Sequence, residues 1–295
     1  MTGKPDILVM AAFGNQGRLL LPKLAAQGAR VRGLRATAGG EDALLALGAV
    51  DAVSGDAADP QVLARALEGI RTVYHIGPGG HPQERAMGFA MVEAAAKAGV
   101  EHLIYSSVLH PIIEDMVQHR LKREVEAAIV ASGLNFTILQ PSDYMQVVFY
   151  QEAFRTGVYR RWWNVDRREA LVDLEDVTDV AARVIAEGAA HHGATYELSS
   201  GDCLTGAQIA AAIGRVMGRE VRLEEITAED FLAIFFGAAK EDPRFAYTID
   251  MLRGMNRWYG AHDFLGNAHV LTMLLGRRPN RFEDVLRRDY DRMAR

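Results

Sequence analysis

The stretch Ile7–Leu20, ILVMAAFGNQGRLL, decides the fold, because a short apolar run passes directly into a glycine-containing turn and then into a helical segment. The turn reads A-x-x-G-x-x-G, with Ala11 at the position of the usual first glycine and with Gly14 and Gly17 at the later ones. Small residues let a pyrophosphate approach the backbone, where the helix N-terminus offers unpaired N–H groups. The stretch therefore predicts the phosphate-binding turn of a Rossmann-type α/β fold.

The alanine at position 11 matters only if the backbone there needs a positive φ, which costs an L-residue of order 1 kcal/mol. We interpret Ala11 as a modest change of the turn that keeps the cofactor site. The alternative is a structural turn without a ligand, but its place after the first strand of a βαβ series favours the cofactor. The residues of this turn that we predict to contact the cofactor are Ala11, Phe13, Gly14, Asn15, Gln16 and Gly17.

Short apolar runs alternate with helical stretches through the first half of the chain, and runs that are apolar on both faces predict buried parallel strands. Several helices end in glycine, which is typical of a left-handed cap. The pattern predicts a doubly wound parallel sheet. The six predicted strands are Ile7–Met10, Val31–Leu34, Ala49–Val53, Val73–Ile76, Leu103–Tyr105 and Phe136–Leu139, and the helices between them are Gln16–Gln27, Glu41–Leu47, Pro60–Glu68, Pro82–Ala98 and Val117–Ala131.

The alternation breaks after Gln140, where aromatic-rich loops precede a strand at Ala170–Asp173, a helix at Asp176–Glu187 and a strand at Thr195–Leu198. We expect a smaller, mixed α/β C-terminal substrate lobe over the carboxyl edge of the sheet, with some strands returning to the sheet. The predicted division is a Rossmann-type NAD(P)-binding domain at 1–155 and the lobe at 156–295.

The composition excludes several other classes of protein. A net charge of −5 over 295 residues, with scattered basic residues, argues against direct nucleic-acid binding. The single cysteine, Cys203, excludes an internal disulfide and any multi-cysteine metal site, so we predict no metal. Since neither a signal peptide nor a membrane-spanning run is readable, we expect a cytoplasmic protein.

The end of the second predicted strand indicates which cofactor is bound. A carboxylate there would bind the ribose 2′-hydroxyl of NAD, whereas an arginine accommodates the 2′-phosphate of NADP. The sequence VRGLRAT offers Arg32 and Arg35 and no acid before Glu41, so NADP(H) is favoured over NAD(H), with Arg35 as the contact. The alternative for Arg35 is a solvated surface charge.

The first half of the chain resembles the NmrA-like group of atypical short-chain dehydrogenases. The matching segments are, in order, GNQGR, VRGLR, SGDAADPQVLARALEGI, YHIGP, AAAKAGVEHLIYSSV and VEAAIVASGLNFTILQPSDYMQ. The resemblance implies a Rossmann-type domain that binds NAD(P). It places Asp56 and Ala57 near the adenine, Gly77 and Pro78 beside the ribose, Ser106 and Ser107 near the nicotinamide, and Pro141 to Tyr144 over its far face.

The helix after the fifth strand carries the candidate catalytic residues. Ordinary short-chain dehydrogenases place Tyr and Lys four residues apart on one helix face. Lys122 takes the lysine position here, but Gln118, which has no titrating proton, stands in place of the tyrosine. The resemblance implies two outcomes: a reductase that keeps only the lysine, or a regulator that binds the cofactor without turnover. A structural alternative for Lys122 is an i,i+4 pair with Glu126.

Further side chains are candidates for proton transfer and substrate binding. His119, three residues before Lys122, is a candidate proton donor near neutral pH, with a surface position as its alternative. Ser107 is predicted to hydrogen-bond the substrate carbonyl, and His110 either reaches the substrate or stabilises its turn. A flat apolar substrate would meet aromatic and methionine side chains, or these side chains would be core. They are Tyr144, Met145, Phe149, Trp162 and Trp163.

These observations predict an NADPH-dependent reductase of a quinone, an aromatic carbonyl compound or a conjugated small molecule, with Lys122, Ser107 and His119 as catalytic residues. The alternative is a non-catalytic NADP(H)-binding redox sensor that acts through protein partners. The partners we predict are a small-molecule substrate and, as an option, a second copy of the chain in a homodimer, but neither nucleic acid nor a membrane.

Overall fold

The computed structural model describes residues 4–146 and 150–293 of the chain. The chain forms two compact units, each assembled from segments that are separated in sequence. Unit 1 comprises residues 1–112, 118–140 and 177–196, and unit 2 comprises residues 113–117, 141–176 and 197–295.

The strands and helices alternate through unit 1 and mix in unit 2. The strands are β1 Ile7–Val9, β2 Val31–Arg35, β3 Asp51–Ser54, β4 Thr72–Ile76, β5 His102–Ser106, β6 Phe136–Pro141, β7 Asp143–Tyr144, β8 Val158–Arg161, β9 Glu169–Val172, β10 Ala194–Leu198, β11 Asp202–Leu204 and β12 Arg222–Glu225. The helices are α1 Asn15–Ala26, α2 Glu41–Ala46, α3 Pro60–Leu67, α4 Glu84–Ala98, α5 Val117–Ala131, α6 Gln151–Thr156, α7 Leu174–Glu187, α8 Gly206–Met217, α9 Ala228–Phe236, α10 Ala246–Ala261, α11 His269–Leu275 and α12 Phe282–Met293.

Unit 1 is built on a seven-stranded sheet with the order β10-β6-β5-β4-β1-β2-β3. Strands β1 to β6 pair in parallel, for example Ile7 with Val31 and Val9 with Tyr74. The predicted doubly wound parallel sheet is therefore confirmed. The strand order reverses between β1 and β4, and the carboxyl ends of these two strands form the crevice where such sheets bind ligands.

The core of unit 1 explains why its strands could be predicted. Both faces of the sheet are covered, so Leu8, Val73 and Leu103 have no accessible surface and pack with Met91 and Val125 of the helices. The five glycines predicted to stop helices all have a positive φ, between 71° and 103°. They are Gly28, Gly48, Gly69, Gly99 and Gly133.

Unit 2 contains two small sheets, of order β11-β9-β7 and β12-β8, together with helices of its own. Helix α12 is held by ion pairs from Arg288 to Asp173 at 2.7 Å, and just before it the Arg281 Nε donates to Asp202 at 2.7 Å. Within the described residues, no helix combines the length and apolarity that crossing a membrane requires.

Candidate functional site

The turn after β1 has the form of an anion site. Ala11 has a φ of 46°, and its carbonyl accepts a hydrogen bond from the Gly14 N–H at 2.8 Å. A Cβ on Gly17 would lie 2.3 Å from the Ala12 carbonyl oxygen, so only glycine lets α1 begin this close to the strand. Helix α1 has neither a side-chain cap nor an acidic residue in its first turn. Its first N–H groups therefore suit a pyrophosphate.

The expectation of a modestly changed turn at Ala11 needs correction. The backbone keeps the left-handed conformation that glycine adopts without cost, although the residue is alanine. The turn thus preserves its geometry and carries strain of about 1 kcal/mol at this residue.

A buried hydrogen-bond network connects the start of α1 to strands β4 and β5. The Tyr74 hydroxyl donates to the Gln16 Oε1 at 2.7 Å, and the Gln16 Nε2 donates to the Ser106 Oγ at 3.0 Å. All three side chains are buried. Gln16 and Ser106 were both predicted to contact the cofactor, and the network holds their side chains at the reversal point of the strand order.

Two arginines flank the aromatic ring that follows the turn. The guanidinium carbons of Arg18 and Arg35 lie 3.8 and 5.3 Å from the centroid of Phe13. The Arg35 Nη2 donates to the Thr37 hydroxyl at 3.0 Å. Arg32, in contrast, is structural, because its Nε donates to Asp51 at 2.6 Å. Sequence analysis missed Arg18, although its place four residues after Gly14 puts it on the first turns of α1.

The other predicted adenine and ribose contacts lie on loops after strands. Asp56, after β3, is exposed, and its Oδ1 accepts the Ala58 N–H at 2.8 Å, while Ala57 is half-buried. Gly77 and Pro78 directly follow β4 and are half-buried. Their contact with a cofactor remains a prediction.

Lys122 forms a buried ion pair that the sequence did not indicate. Its Nζ lies 2.7 Å from the Glu84 Oε1 at the start of α4, and the two side chains are 11% and 1% exposed. A Cβ on Gly77 would lie 3.2 Å from the Glu84 carboxylate and 3.6 Å from the Lys122 Nζ. The ammonium group is thus held beside the carboxyl end of β4, and Gly77 leaves the room for it.

Two buried rings lie next to this ion pair. His75 and Tyr105 occupy paired positions of β4 and β5, and their rings stack at 5.4 Å. Burial, followed by the charge of Lys122, lowers the pKa of His75 to about 3, so the imidazole is neutral. Burial also raises the pKa of Tyr105 to about 12, against the opposing charge of Lys122.

Ser107 and Lys122 both lie near Glu126 of α5. Burial raises the pKa of Glu126, and hydrogen bonds from Ser107 and Gln140 oppose that rise. The Gln140 Nε2 donates to the Glu126 Oε1 at 2.9 Å. Gln118 is half-buried on the same helix, α5. The role of Ser107 toward a substrate carbonyl stays a prediction.

The prediction that His119 supplies a proton near neutral pH does not fit its surroundings. The imidazole is 2% exposed, and its Nδ1 lies 2.9 Å from the His110 carbonyl oxygen. Burial lowers the pKa of His119 to about 4, so the ring is neutral at pH 7. His110 itself is half-buried with a φ of 54°. His119 therefore stabilises this strained loop.

The aromatic and methionine residues that were predicted to line the substrate pocket and that the structure describes all belong to unit 2. Met145 is 3% exposed within the hydrophobic core, which is the alternative that the sequence left open for it. Pro141 is buried, and Tyr144 is half-buried in β7. Phe149 lies outside the described residues.

Trp162 and Trp163 follow the end of β8 and are both half-buried. The Trp162 ring stacks on Phe231 of α9 at 4.3 Å, and the Trp163 ring stacks on Tyr259 of α10 at 5.0 Å. The two tryptophans thus form an aromatic surface with the helices of their own unit. A planar ligand suits such a surface.

A buried charged cluster beside Trp163 also escaped sequence analysis. It contains Arg161, Glu169, Asp143 and Tyr259. The Arg161 Nη2 lies 3.4 Å from the Glu169 Oε2, and the Tyr259 hydroxyl donates to the Asp143 Oδ2 at 2.7 Å. The consecutive Arg160 and Arg161 were the available signal, because strand alternation turns one of two neighbours inward.

Comparison with known proteins places this geometry in a family. The model of the NmrA-like family matches residues 3–264. The (4-alkanoyl-5-oxo-2,5-dihydrofuran-3-yl)methyl phosphate reductase of Streptomyces griseus is 33% identical over 228 residues, which cover 75% of this chain and 77% of that protein. Quinone oxidoreductase 2 of Escherichia coli is 26% identical over 223 residues, covering 75% and 76%.

A solved structure is similar to this chain over nearly its whole length. The NADPH-dependent quinone oxidoreductase of Escherichia coli, complexed with NADPH, superposes with a TM-score of 0.80 at 22% identity and covers 98% of this chain and 100% of that chain. The family match spans both the phosphate-binding turn and the Lys122 helix. The chain therefore belongs to the NmrA-like family.

Proposed function

We propose that this protein is an NADPH-dependent reductase that transfers hydride to a quinone, an aromatic carbonyl compound or a conjugated carbonyl compound. The observation that carries the proposal is the buried Lys122 ammonium beside the carboxyl end of β4, 2.7 Å from Glu84. The similar curated proteins reported above are reductases, which favours turnover over a purely regulatory role.

The turn after β1 fits the diphosphate of the cofactor. Gly14 and Gly17 leave the backbone open, and the N-terminus of α1 has no side-chain cap. Arg35 and Arg18 beside Phe13 supply two cations for a 2′-phosphate, which supports NADP(H) over NAD(H). When bound, the reduced nicotinamide would supply the hydride.

We propose that side chains of this protein bind the ribose, stabilise the charge on the acceptor and deliver the proton. Lys122 would hold the ribose hydroxyls and stabilise the negative charge that develops on the acceptor oxygen. Ser107 would donate a hydrogen bond to the same oxygen. Lys122 or water would deliver the proton that completes the reduction, because buried, neutral His119 already contacts the His110 carbonyl.

The test is turnover of NADPH and NADH with a panel of quinones and aromatic carbonyl compounds. We expect acceptor-dependent NADPH consumption that falls at least about 100-fold in Lys122→Ala, as for the loss of a general acid. Lys97→Ala, a change at an exposed lysine of the same unit, should retain activity. Tight NADPH binding with no consumption across the panel would instead support the redox-sensing alternative.

Cofactor preference is tested with the arginines. Arg35→Ala and Arg18→Ala should each weaken NADPH binding about tenfold and leave NADH binding nearly unchanged, since only NADPH carries the 2′-phosphate. Arg30→Ala removes an exposed arginine paired with Asp6 and serves as the control. An unchanged NADPH-to-NADH ratio in both arginine variants would show that the assignment is wrong.

A further inference from the structure

The charged cluster of unit 2 contains hydrogen-bond donors that the chain itself leaves unused. Arg161 has a side chain only 1% exposed, and within residues 4–146 and 150–293 its Nε, Nη1 and Nη2 find no hydrogen-bond acceptor of suitable geometry. The indole Nε1 of Trp163 is buried without an acceptor in the same part of the chain. Buried donors are almost always paired in folded proteins, so these four nitrogens require an explanation.

The donors lie together. The Arg161 guanidinium carbon is 5.0 Å from the centroid of the Trp163 ring. Glu169 approaches Arg161 only at 3.4 Å, which is a loose ion pair compared with 2.7 Å for Lys122 and Glu84. Desolvating a guanidinium is costly, and one loose contact offsets little of that cost.

The cluster also reaches accessible surface. Asp143, Tyr144 and Trp163 are half-buried, whereas Arg161 and Tyr259 are buried behind them. Trp163 is stacked on Tyr259, which fixes the plane of its indole. The arrangement is a set of buried donors beneath an aromatic surface, which is the usual composition of a small-molecule site.

The balance of charge selects the class of ligand. One guanidinium faces two carboxyl groups, Glu169 and Asp143. Burial raises the pKa of both carboxyl groups, and two carboxyl groups already face the single guanidinium, so the cluster needs no further negative charge. An anionic ligand would add an unbalanced buried charge, whereas a neutral carbonyl oxygen accepts hydrogen bonds without one.

We propose that Arg161 and the Trp163 indole N–H recognise a carbonyl oxygen of a neutral, planar acceptor such as a quinone or an enone. This inference rests on the proposed reductase function and names the residues that choose its substrate. Arg161 is a recognition residue of unit 2 that binds a carbonyl oxygen of the acceptor. Trp163 contributes both a donor and a stacking face.

The experiment compares two ligands of nearly the same shape on the full-length protein without cofactor. Duroquinone carries two carbonyl oxygens, and durene has the same methylated ring without them. Dissociation constants are measured by isothermal titration for the wild type, Arg161→Met and Arg160→Met. Arg160 is the matched control, because it lies on the same strand but pairs with Glu224 at 2.9 Å.

We expect the wild type and Arg160→Met to bind duroquinone at least about tenfold more tightly than durene, because a charged donor strengthens the hydrogen bond. In Arg161→Met the preference should fall to within about twofold, with durene affinity unchanged. A wild type without the preference, or an Arg161→Met protein that keeps it, overturns the inference.

A second variant keeps the test decisive if Arg161→Met does not fold. Trp163→Phe keeps an aromatic ring but removes the Nε1 donor and part of the stacking area; durene reports the lost stacking, and we expect the preference for duroquinone over durene to fall about threefold to fivefold. An unchanged preference overturns the role of Trp163 in the inference. Turnover separates the two proposals. If the protein prefers duroquinone over durene but consumes no NADPH, the binding inference stands and the reductase function is refuted. If it consumes NADPH without that preference, only the reductase function stands.

Discussion

The two units bury charge in different ways. In unit 1 the Lys122 ammonium meets the Glu84 carboxylate at 2.7 Å, and both side chains are nearly inaccessible. In unit 2 the buried Arg161 meets Glu169 only at 3.4 Å and leaves its donors without acceptors among the described residues. The ion pair of the first cation is therefore short, and that of the second is long.

The difference indicates different tasks. A closely paired buried cation is held in one position, which suits the lysine we propose to orient a cofactor and its acceptor. A loosely paired cation retains hydrogen-bonding capacity for a ligand. The buried titratable groups near the two cations also differ. Burial lowers the pKa of His75 and His119 in unit 1, whereas burial raises the pKa of Glu169 in unit 2.

The largest effect that we expect from a single substitution is on stability, and it separates the two cations directly. Glu84→Ala strands a buried ammonium, so we expect the free energy of unfolding to fall by about 3 kcal/mol. Arg161→Met replaces an incompletely paired cation with an apolar side chain, so the change should stay within about 1 kcal/mol. Urea unfolding at pH 7 measures both. Equal losses in the two variants would refute the distinction between the units.

The next effect is acid sensitivity of unit 1. Burial lowers the pKa of His75 to about 3 and those of His102 and His119 to about 4, so the unfolded chain binds more protons below about pH 6.5. The free energy of unfolding should therefore fall on acidification from pH 6.5 to 4, by up to about 1.4 kcal/mol per histidine and pH unit.

The histidine prediction is checked by urea unfolding at pH 7, 6 and 5. His75→Phe, which keeps a ring against Tyr105, should make the acid loss shallower. His269→Phe changes an exposed histidine of unit 2 and should leave the slope as in the wild type. A wild-type free energy that is constant over this range would contradict the prediction.

A smaller effect of opposite sign is expected from unit 2. Burial raises the pKa of Glu169 to about 8, so the folded chain keeps a proton that the unfolded chain releases near its ordinary value of 4.5. This contribution to stability is lost as the pH rises toward 8, by up to about 1.4 kcal/mol per pH unit. Glu169→Gln, which cannot ionise, should remove that alkaline loss in unfolding measured at pH 6, 7 and 8. The same loss in the variant would exclude Glu169 as its source.

The smallest expected effect is at the phosphate-binding turn. Ala11→Gly removes the strain of a left-handed alanine, about 1 kcal/mol, but glycine gains entropy in the unfolded chain. We expect a net gain of a few tenths of a kcal/mol, measured as a small rise in Tm. Ala12→Gly, at the fully buried neighbour, should lower Tm instead. A lower Tm for Ala11→Gly would mean that the alanine is unstrained.

The fold was predictable because its signals are local. Strands covered on both faces, such as β1 and β5, are buried throughout and largely apolar, and glycines such as Gly28 and Gly99 mark helix ends by their own backbone conformation. The predicted helix bounds agree closely for α1 and α5. Neither signal requires knowledge of a residue distant in sequence.

The site was less predictable because its decisive contacts are not local. The i,i+4 rule offered Glu126 as the ion-pair partner of Lys122, whereas Glu84 of another helix makes the 2.7 Å contact. Burial, which sequence periodicity does not show for a single histidine, makes His119 neutral. The sequence did not show where the strand before the two tryptophans ends; β8 ends at Arg161, and both tryptophans are half-buried.

The order in which segments join the sheet of unit 1 has a consequence for biosynthesis. Its edge strand β10 pairs beside β6, yet residues 141–176 of unit 2 are made between them. During translation, one flank of β6 therefore stays uncovered until the chain has been made as far as Leu198, the end of β10. A ribosome stalled before that point would display an unpaired strand edge, which is the kind of surface that chaperones protect and that aggregation exploits.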